Sequence, residues 1–244
     1  MENWKKIIRS QISYVYVINL DSRKDRWEKI CQMLRDWDIG PESTDGETDG
    51  WWKRFSAKDL SGVDIEKSLD KRYYQHYTLP SNNRTYNTKY IRGATGCKMS
   101  HVSVITEAKK RGLKNVLILE DDACLSDGVS LKQFLMYLAG GLKELSRIKD
   151  WDLCYLGGKN TGSLTRFGPR LERINQIKTT HAFLVNSHCF SRIIREMLPS
   201  GVEADVYLTR IQPRFSFRFF PNLLTQREDY SDILHKRVCY RTIC

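Results

Sequence analysis

VLILEDDACL, residues 116–125, places three consecutive carboxylates, Glu120, Asp121 and Asp122, directly after four apolar residues. The apolar run is typical of a buried strand, so the acidic residues stand at its carboxyl end. Chains commonly turn into water at such a point, and a merely polar strand end is one interpretation. The other is a cation site, because three adjacent anions repel one another and favour a positive partner.

The segments around this stretch alternate between strand and helix patterns. SYVYVINL, residues 13–20, predicts a buried first strand, which is followed by an amphipathic helix. The helices are predicted over residues 23–37, 96–110, 129–148 and 187–198. The later strands are predicted over residues 114–119, 151–156, 179–185 and 215–221, the last as an edge or terminal strand. This alternation predicts an α/β fold with a mainly parallel central sheet and helices on both faces. Ligands bind such sheets at the carboxyl ends of strands, where the acidic triplet lies.

Two polar regions interrupt the pattern. Residues 41–50 form a predicted loop, and residues 70–95 are rich in tyrosine and basic side chains with few aliphatic ones. A long excursion of this kind is either a lid or binding element or a disordered insertion.

The composition limits the class of protein. A chain of 244 residues with 41% hydrophobic and 28% charged residues is typical of a globular protein, here predicted as a single domain. No apolar run approaches the roughly 20 residues that a membrane span needs. The opening residues lack the pattern of a signal peptide, which predicts a cytoplasmic location. Seven cysteines without a C-x-x-C pair favour reduced thiols over a zinc cluster or a disulfide framework.

The net charge of +11 favours anionic partners, namely nucleic acid, an acidic membrane surface or a phosphorylated small molecule. The basic residues are spread along the chain, which weakens the nucleic-acid interpretation. Neither the G-x-G-x-x-G pattern of dinucleotide oxidoreductases nor the phosphate loop of P-loop kinases occurs.

The acidic triplet fits a divalent cation. Side chains of an extended segment alternate, so Glu120 and Asp122 are expected on one side and Asp121 on the other. Two oxygen ligands with open positions suit Mn²⁺ or Mg²⁺, which would neutralise a diphosphate leaving group. Arg23 and Arg26 would reach the same edge, and could bind phosphate, if the first and third strands are neighbours.

Six segments in order resemble glycosyltransferase family 25, which includes lipopolysaccharide and collagen-modifying sugar transferases. They are VINLDSRKDRWEKI (17–30), GCKMSH (96–101), VLILEDDA (116–123), WDLCYLGG (151–158), TTHAFLVN (179–186) and QREDYSDI (226–233). The resemblance implies a GT-A type, Rossmann-like nucleotide-sugar transferase domain. About residues 14–125 would form the nucleotide-sugar half and 126–233 the acceptor half, with 234–244 as a tail.

The resemblance also implies roles for particular residues. The donor would be bound by Asn19, Leu20, Arg23, Arg26, Ser100, His101, Asp121 and Gln226. The metal and diphosphate would be bound by Glu120, Asp122 and Asp232. An inverting transferase needs a base for the acceptor hydroxyl, for which Asp205 is the first candidate and Glu203 the second. Asp205 is equally interpretable as a helix-capping residue.

The sequence therefore predicts a metal-dependent glycosyltransferase. It would transfer a hexose or related sugar from a nucleotide diphosphate, expected to be UDP, to a hydroxyl of a glycan or glycoconjugate, with inversion. Nucleic acid is not an expected partner, and peripheral contact with an acidic membrane surface is left open. Two alternatives stay open: a basic nucleic-acid- or glycan-binding module without catalysis, and a nucleotidyltransferase on a related fold.

Overall fold

The computed structural model describes residues 2–40, 50–78, 87–234 and 236–238. Most of the predicted loop at 41–50 and residues 79–86 of the predicted excursion lie outside the described residues. No described helix is both long enough and apolar enough to cross a membrane.

The helices of the described residues are α1 (Glu2–Gln11), α2 (Lys24–Trp37), α3 (Ile65–Ser68), α4 (Gln75–Thr78), α5 (Thr88–Lys110), α6 (Leu131–Leu145), α7 (Ser187–Glu196), α8 (Ala204–Leu208) and α9 (Gln212–Phe215), with a 3-10 turn at Lys71–Tyr73. The strands are β1 (Tyr14–Asn19), β2 (Trp52–Ser56), β3 (Asn115–Glu120), β4 (Ala123–Leu125), β5 (Leu153–Tyr155), β6 (Lys159–Asn160), β7 (Leu164–Arg166), β8 (Leu171–Ile174), β9 (Ile177–Lys178), β10 (Ala182–Asn186), β11 (Ser216–Phe219), β12 (Leu224–Gln226), β13 (Asp229–Ser231) and β14 (Lys236–Val238).

Eight strands form the central sheet, in the order β2-β1-β3-β10-β5-β11-β8-β7. β1 pairs in parallel with β2 and β3, and β5 pairs in parallel with β11. β10 is antiparallel to both β3 and β5, and β8 is antiparallel to both β11 and β7. Only β10 and β8 therefore run against the other six strands described in this sheet. The predicted α/β fold with a mainly parallel sheet is confirmed.

The two faces of the sheet each bury one set of alternating side chains. On one face, Val15 and Leu117 pack in a core shared with α1, α2 and α6. On the other face, Tyr16 and Ile118 pack in a core shared with α5, α7 and α8. Because successive residues of a strand point to opposite faces, strands covered on both sides must be apolar throughout. This explains the continuous apolar runs of β1 and β3, whose four central residues are buried in each case.

Two parts of the predicted secondary structure are wrong. β11 lies inside the sheet between β5 and β8, not at its edge, because the hairpin of β7 and β8 extends the sheet beyond it. α5 begins at Thr88, eight residues before its predicted start, because Asn87 caps it: the Asn87 side chain accepts a bond from the Tyr90 amide at 2.8 Å.

The described part of the tyrosine-rich excursion is packed against the domain. Tyr74 and Tyr77 are buried in a small core with Ile65, Ile91 and Ala94, which joins the segment around α3 and α4 to the first turns of α5. A disordered insertion does not describe residues 70–78.

Candidate functional site

A cavity of about 730 Å³ lies at the carboxyl ends of β1 and β3. Because these strands are parallel neighbours, the helix after β1 and the acidic triplet after β3 meet at one edge of the sheet, as the sequence predicts. The predicted site residues that line the cavity are Leu20, Arg26, Ser100, His101, Glu120, Asp121, Asp122, Glu203, Asp205, Gln226 and Asp232. Asn19 and Arg23 do not line the cavity themselves. Asn19 binds Asp121 and Arg23 binds Asp232, which both line it. The volume suits a ligand the size of a nucleotide sugar.

Asp121 is held by residues of β1 and α2. Its Oδ2 accepts a bond from Asn19 Nδ2 at 2.7 Å, and its Oδ1 accepts one from Arg26 Nη1 at 2.9 Å. Asn19 is itself fixed, because its Oδ1 accepts a bond from Arg54 Nε at 2.8 Å. Asn19 therefore orients Asp121, and Asp121 faces α2.

Glu120 points the other way, toward α5 and the segment before β10. Its Oε1 accepts bonds from His101 Nε2 at 2.9 Å and Thr180 Oγ1 at 2.6 Å. Burial opposes ionisation of Glu120, yet the bonds from His101 and Thr180 outweigh it and lower the pKa of the carboxyl. Glu120 is thus a fixed anion in the cavity wall.

Asp122 lies beyond the end of β3, in the turn before β4, where strand alternation no longer applies. Its Oδ2 accepts a bond from Gln226 Nε2 at 3.3 Å, whereas its Oδ1 is buried without a hydrogen-bond partner among the described residues. Burial, then the neighbouring charges of Glu120 and Asp121, raise the pKa of Asp122 to about 8. An unpartnered carboxylate oxygen beside two anions is an environment that a divalent cation would stabilise.

Arg23 and Arg26 are engaged with the carboxyl-terminal segment. Arg23 donates to Asp232 at 2.6 Å and to Asp229 at 3.0 Å. Arg26 binds Asp229 at 3.3 Å as well as the Tyr230 carbonyl. The two guanidinium groups therefore connect the start of α2 to the segment that closes one side of the cavity. Asp232 is bound to an arginine here, and its role as a metal ligand stays a prediction.

Ser100 supports the cavity wall through the backbone. Its hydroxyl donates to the Gly96 carbonyl at 2.7 Å and accepts a bond from the Lys58 amide at 2.8 Å. Gly96 allows this approach, because a Cβ at that position would lie 2.3 Å from the Lys58 carbonyl oxygen. The G and S of the GCKMSH segment thus hold the strand-to-helix connection after β2 against α5.

Glu203 and Asp205 lie on the wall formed by the start of α8. The N-cap position is Glu203, so the helix-capping interpretation does not apply to Asp205. Asp205 accepts bonds from the Thr179 amide at 3.3 Å and the Val206 amide at 2.8 Å. Burial raises the pKa of Asp205, which makes the carboxylate more basic than usual. Thr179 has a φ of 77°, which is rare for a β-branched residue and indicates local strain at the cavity.

Several cavity residues were not predicted from the sequence. Thr180 binds Glu120, Tyr90 Oη donates to Glu203 Oε1 at 2.8 Å, and Cys97 lies within 4.8 Å of ligand atoms of both His101 and Glu120. Cys97 is one helical turn before His101, and this spacing could have placed both on one face of α5. Tyr90 and Thr180 come from segments whose position depends on tertiary packing.

Comparisons with known proteins identify the family. A model of glycosyltransferase family 25, described as LPS biosynthesis proteins, matches residues 12–156, which is more than half of the chain. The human protein named inactive glycosyltransferase 25 family member 3 is 33% identical over 150 residues, covering 59% of this chain and 22% of that protein. Human procollagen galactosyltransferase 2 is 30% identical over 146 residues, covering 59% of this chain and 20% of that protein.

The chain thus spans about one fifth of the length of these two curated relatives. Among solved structures, mannose-1-phosphate geranyltransferase from Thermus thermophilus aligns with a TM-score of 0.37 at 12% identity, covering 83% of this chain and 68% of that one. The fold observed here is consistent with the GT-A type that the sequence resemblance implies. With the family match covering more than half of the chain and three of the six motifs in full, the chain belongs to glycosyltransferase family 25.

Proposed function

We propose that this protein transfers a hexose or related sugar from a nucleoside diphosphate donor to a hydroxyl group of a glycan or glycoconjugate. The observation that carries the proposal is the cavity itself. It holds an incompletely partnered acid, Asp122, on the wall after β3, and a pair of acids, Glu203 and Asp205, on the wall formed by α8. The first acid suits a cation that would bind the diphosphate, and the pair suits removal of the acceptor proton.

The donor is proposed to lie along β1 and the start of α2. Leu20 and Arg26 line this part of the cavity, and Asp121 faces it from β3. UDP is the proposed nucleotide, and a galactosyl donor is the first to test, because one relative is named as a galactosyltransferase. Asn19 and Arg23 would act by positioning Asp121 and the carboxyl-terminal segment.

The cation is proposed to be Mn²⁺ or Mg²⁺, held by Asp122 and Glu120, with Asp232 as a further candidate. The unpartnered Oδ1 of Asp122 supports this assignment, since an oxygen that lacks a donor is available as a ligand. When bound, the ion neutralises charge on the departing diphosphate. Asp122 would give up its proton as the ion binds.

The transfer itself requires one proton to move. The acceptor oxygen attacks the anomeric carbon, and the bond from that carbon to the diphosphate breaks with its electron pair leaving on the nucleoside diphosphate. The hydroxyl proton goes to Asp205 Oδ1 or Oδ2, and the configuration of the sugar inverts. Asp205 is preferred to Glu203 because burial raises the pKa of Asp205 and makes its carboxylate more basic.

The test is a panel of nucleotide sugars presented to the full chain with and without Mn²⁺. We expect one donor to raise the melting temperature only when Mn²⁺ is present, and the same donor to be hydrolysed slowly without an acceptor. A panel in which no donor stabilises the protein or is hydrolysed would contradict the proposal.

A second candidate is a sugar-binding protein without catalysis. It is motivated by the relative named as an inactive family member. Under this alternative a donor stabilises the protein but neither hydrolysis nor transfer is detected. A nucleic-acid-binding module would instead show steeply salt-dependent binding that does not respond to Mn²⁺.

A further inference from the structure

A second cluster of metal-ligating side chains lies at the opposite edge of the sheet from the cavity. Asp152 precedes β5, and His188 and Cys189 lie in the first turn of α7, directly after β10. The cavity residues Thr179 and Thr180 precede β10. The five residues of β10 separate the two places by about 17 Å, at roughly 3.4 Å per residue.

The three side chains converge on one point. The distance from His188 Nε2 to Asp152 Oδ1 is 2.8 Å, that from Cys189 Sγ to Asp152 Oδ1 is 3.0 Å, and that from Cys189 Sγ to His188 Nε2 is 3.4 Å. In a tetrahedral site with bonds of about 2.0 to 2.3 Å, ligand atoms lie roughly 3.3 to 3.6 Å apart. The atoms need to separate by only about 0.5 Å, and the exposed His188 can move by that amount.

The orientation of the His188 ring is set by the residue that caps α7. Asn186 Oδ1 lies 3.0 Å from His188 Nδ1 and also accepts a bond from the His188 amide at 3.2 Å. An oxygen that accepts from the amide must also accept from Nδ1, so Nδ1 carries a proton. Nε2 then faces Asp152 and Cys189 either with a second proton or with a free lone pair. Metal-binding histidines in proteins are held in this way, with the other ring nitrogen donating to an oxygen.

Asp152 offers an additional sign that the cluster is incomplete. The residue is only 3% exposed, and its Oδ2 is buried without a hydrogen-bond partner in the part of the chain that the structure describes. Buried carboxylate oxygens normally have a partner. His188 and Cys189 meet the other oxygen, Oδ1, so a cation bound by both oxygens of Asp152 would supply the partner of Oδ2.

We propose that Asp152, His188 and Cys189 form a second metal site, which takes Zn²⁺ or a similar borderline transition metal. Sulfur, nitrogen and oxygen ligands together favour such metals over Mg²⁺ and Mn²⁺, which prefer oxygen alone. The exposed side of His188 leaves room for water as the fourth ligand. This inference does not depend on the proposed sugar transfer.

Binding requires two protons to leave to the buffer. The Cys189 thiol must lose its proton so that sulfur binds as thiolate, and the proton between His188 Nε2 and Asp152 Oδ1 must leave so that both atoms can bind through lone pairs. Burial, together with the bond to Asp152, raises the pKa of the Cys189 thiol, and the positive charges of Arg192 and Arg214 oppose this. The metal therefore displaces a proton that is otherwise held on sulfur.

The test uses Co²⁺ as a spectroscopic probe. One equivalent is added to the chelator-treated full chain, and the near-ultraviolet absorption from thiolate-to-cobalt charge transfer is recorded, followed by displacement with Zn²⁺. We expect the band in the native chain and its loss when Zn²⁺ is added. We expect no band in Cys189→Ser. For His188→Gln, at an exposed position that preserves the fold, we expect apparent Co²⁺ affinity at least about tenfold lower.

The matched control is Cys97→Ser, which removes the thiol of the cavity. The band must survive in this variant, because the cavity cluster of Cys97, His101 and Glu120 is the other group of described side chains with metal-ligand spacing. Absence of the band from the native chain, its persistence in Cys189→Ser, or its loss in Cys97→Ser would each overturn the proposal. Since sugar transfer is not measured, failure here leaves the proposed function untouched.

Discussion

Asp122 combines a functional expectation with an effect on stability. Burial beside Glu120 and Asp121 raises its pKa to about 8, from a usual value of 3.8. Between these values the folded protein holds a proton that the unfolded chain has lost. The free energy of unfolding of the metal-free protein should therefore fall as the pH rises, by about 1.4 kcal/mol per pH unit from this group.

Asp122→Asn should remove both the metal site and the fall in the free energy of unfolding with rising pH. We expect the metal-free variant to melt at a higher temperature than the native chain at pH 7.5, because folding no longer has to bring a proton onto a carboxyl group that is ionised in the unfolded chain. We also expect Mn²⁺-dependent donor binding to be lost. Thermal unfolding from pH 5 to 8, with and without Mn²⁺ and donor, measures both effects.

The control is Asp127→Asn, at an exposed position five residues later. It should change neither the pH profile nor donor binding. If Asp122→Asn keeps Mn²⁺-dependent donor binding, Asp122 is not a metal ligand.

Asp205 is tested by its effect on the rate of transfer. Asp205→Asn should lower kcat by about 10² to 10⁴-fold, the usual contribution of a general base, while donor affinity stays within a factor of about two. In the native protein kcat should rise with pH through the raised pKa of Asp205, because the base must be ionised to accept a proton. Steady-state rates and donor titrations across this pH range give both quantities.

Glu203→Gln provides the comparison for Asp205→Asn. Glu203 lies at the same helix start and is not the proposed base, so its loss should affect kcat less. A larger fall in Glu203→Gln than in Asp205→Asn would assign the base to Glu203 instead.

Which residues reach the site was predictable in part from the sequence. The acids after β3 and the arginines after β1 follow from the rule that ligands bind at the carboxyl ends of parallel strands. Thr180 and Tyr90 could not be found in this way, because their side chains are brought in by an antiparallel strand and by the packing of the tyrosine-rich segment. The bonds from Arg23 to Asp232 and from Arg26 to Asp229 join residues about 200 positions apart, which no local pattern reports.

Among the helices, α5 contains a buried lysine that joins two other segments. Lys98 Nζ donates to the Tyr73 carbonyl at 2.7 Å and to the Val202 carbonyl at 3.0 Å, and its side chain is fully buried. Burial lowers the pKa of Lys98 from its usual 10.5 to about 8. α5 thereby fixes the tyrosine-rich segment and the turn before α8, which carries Glu203.

This burial predicts a stability change at alkaline pH. Between pH 8 and 10.5 the unfolded chain holds a proton on Lys98 that the folded protein has lost, so Lys98 contributes increasing stability as the pH rises. The contribution is about 1.4 kcal/mol per pH unit, and Lys98→Met should lack it. Denaturant unfolding of both proteins from pH 7.5 to 10 measures the difference in slope.

The matched control is Lys110→Met, at an exposed position in the last turn of α5. Its profile should follow that of the native chain. If the free energy of unfolding changes with pH equally in Lys98→Met and in the native chain, burial does not lower the pKa of Lys98.

Most of the longer helices and strands were predicted from the spacing of their apolar residues. α2, β1, β3 and α7 lie within a few residues of their predicted bounds, because each has a clear apolar period or a cap. The ten-residue helix α1 was missed. β2, α8 and the hairpin of β7 and β8 were also missed, since each has only three to five residues per element. Segments of this length are ordered by their neighbours in the sheet and contain too little pattern to identify.

For the molecule as a whole, the sequence predicts the class of fold and leaves the pairing of strands open. Alternating strands and helices imply a mainly parallel sheet, which is confirmed. The antiparallel insertion of β10 between β3 and β5 was not predictable, because an apolar strand buried on both faces reads the same in either direction. The predicted division into nucleotide-sugar and acceptor halves stays a prediction.

Arg26 joins three distant parts of the chain. It is 7% exposed and binds Asp121 at the end of β3, Asp229 in β13 and the Tyr230 carbonyl. Removal of Arg26 leaves Asp121 with Asn19 as its remaining described partner. This destabilises the folded protein, because a buried charge without a partner of opposite charge costs free energy. The integrity of the cavity edge should therefore depend on this one guanidinium group.

Arg26→Met should lower the free energy of unfolding by about 3 to 5 kcal/mol, the usual cost of breaking a buried ion pair. This corresponds to a fall in melting temperature of roughly 10 °C for a chain of this size. The double variant Arg26→Met/Asp121→Asn should recover part of the loss, because the unpaired buried charge is then absent as well.

Arg23→Met is the control and should cost about 1 kcal/mol or less, since the acids that bind Arg23 are 25% to 53% exposed. Strictly additive losses in the double-mutant cycle would show that Arg26 and Asp121 are not energetically coupled.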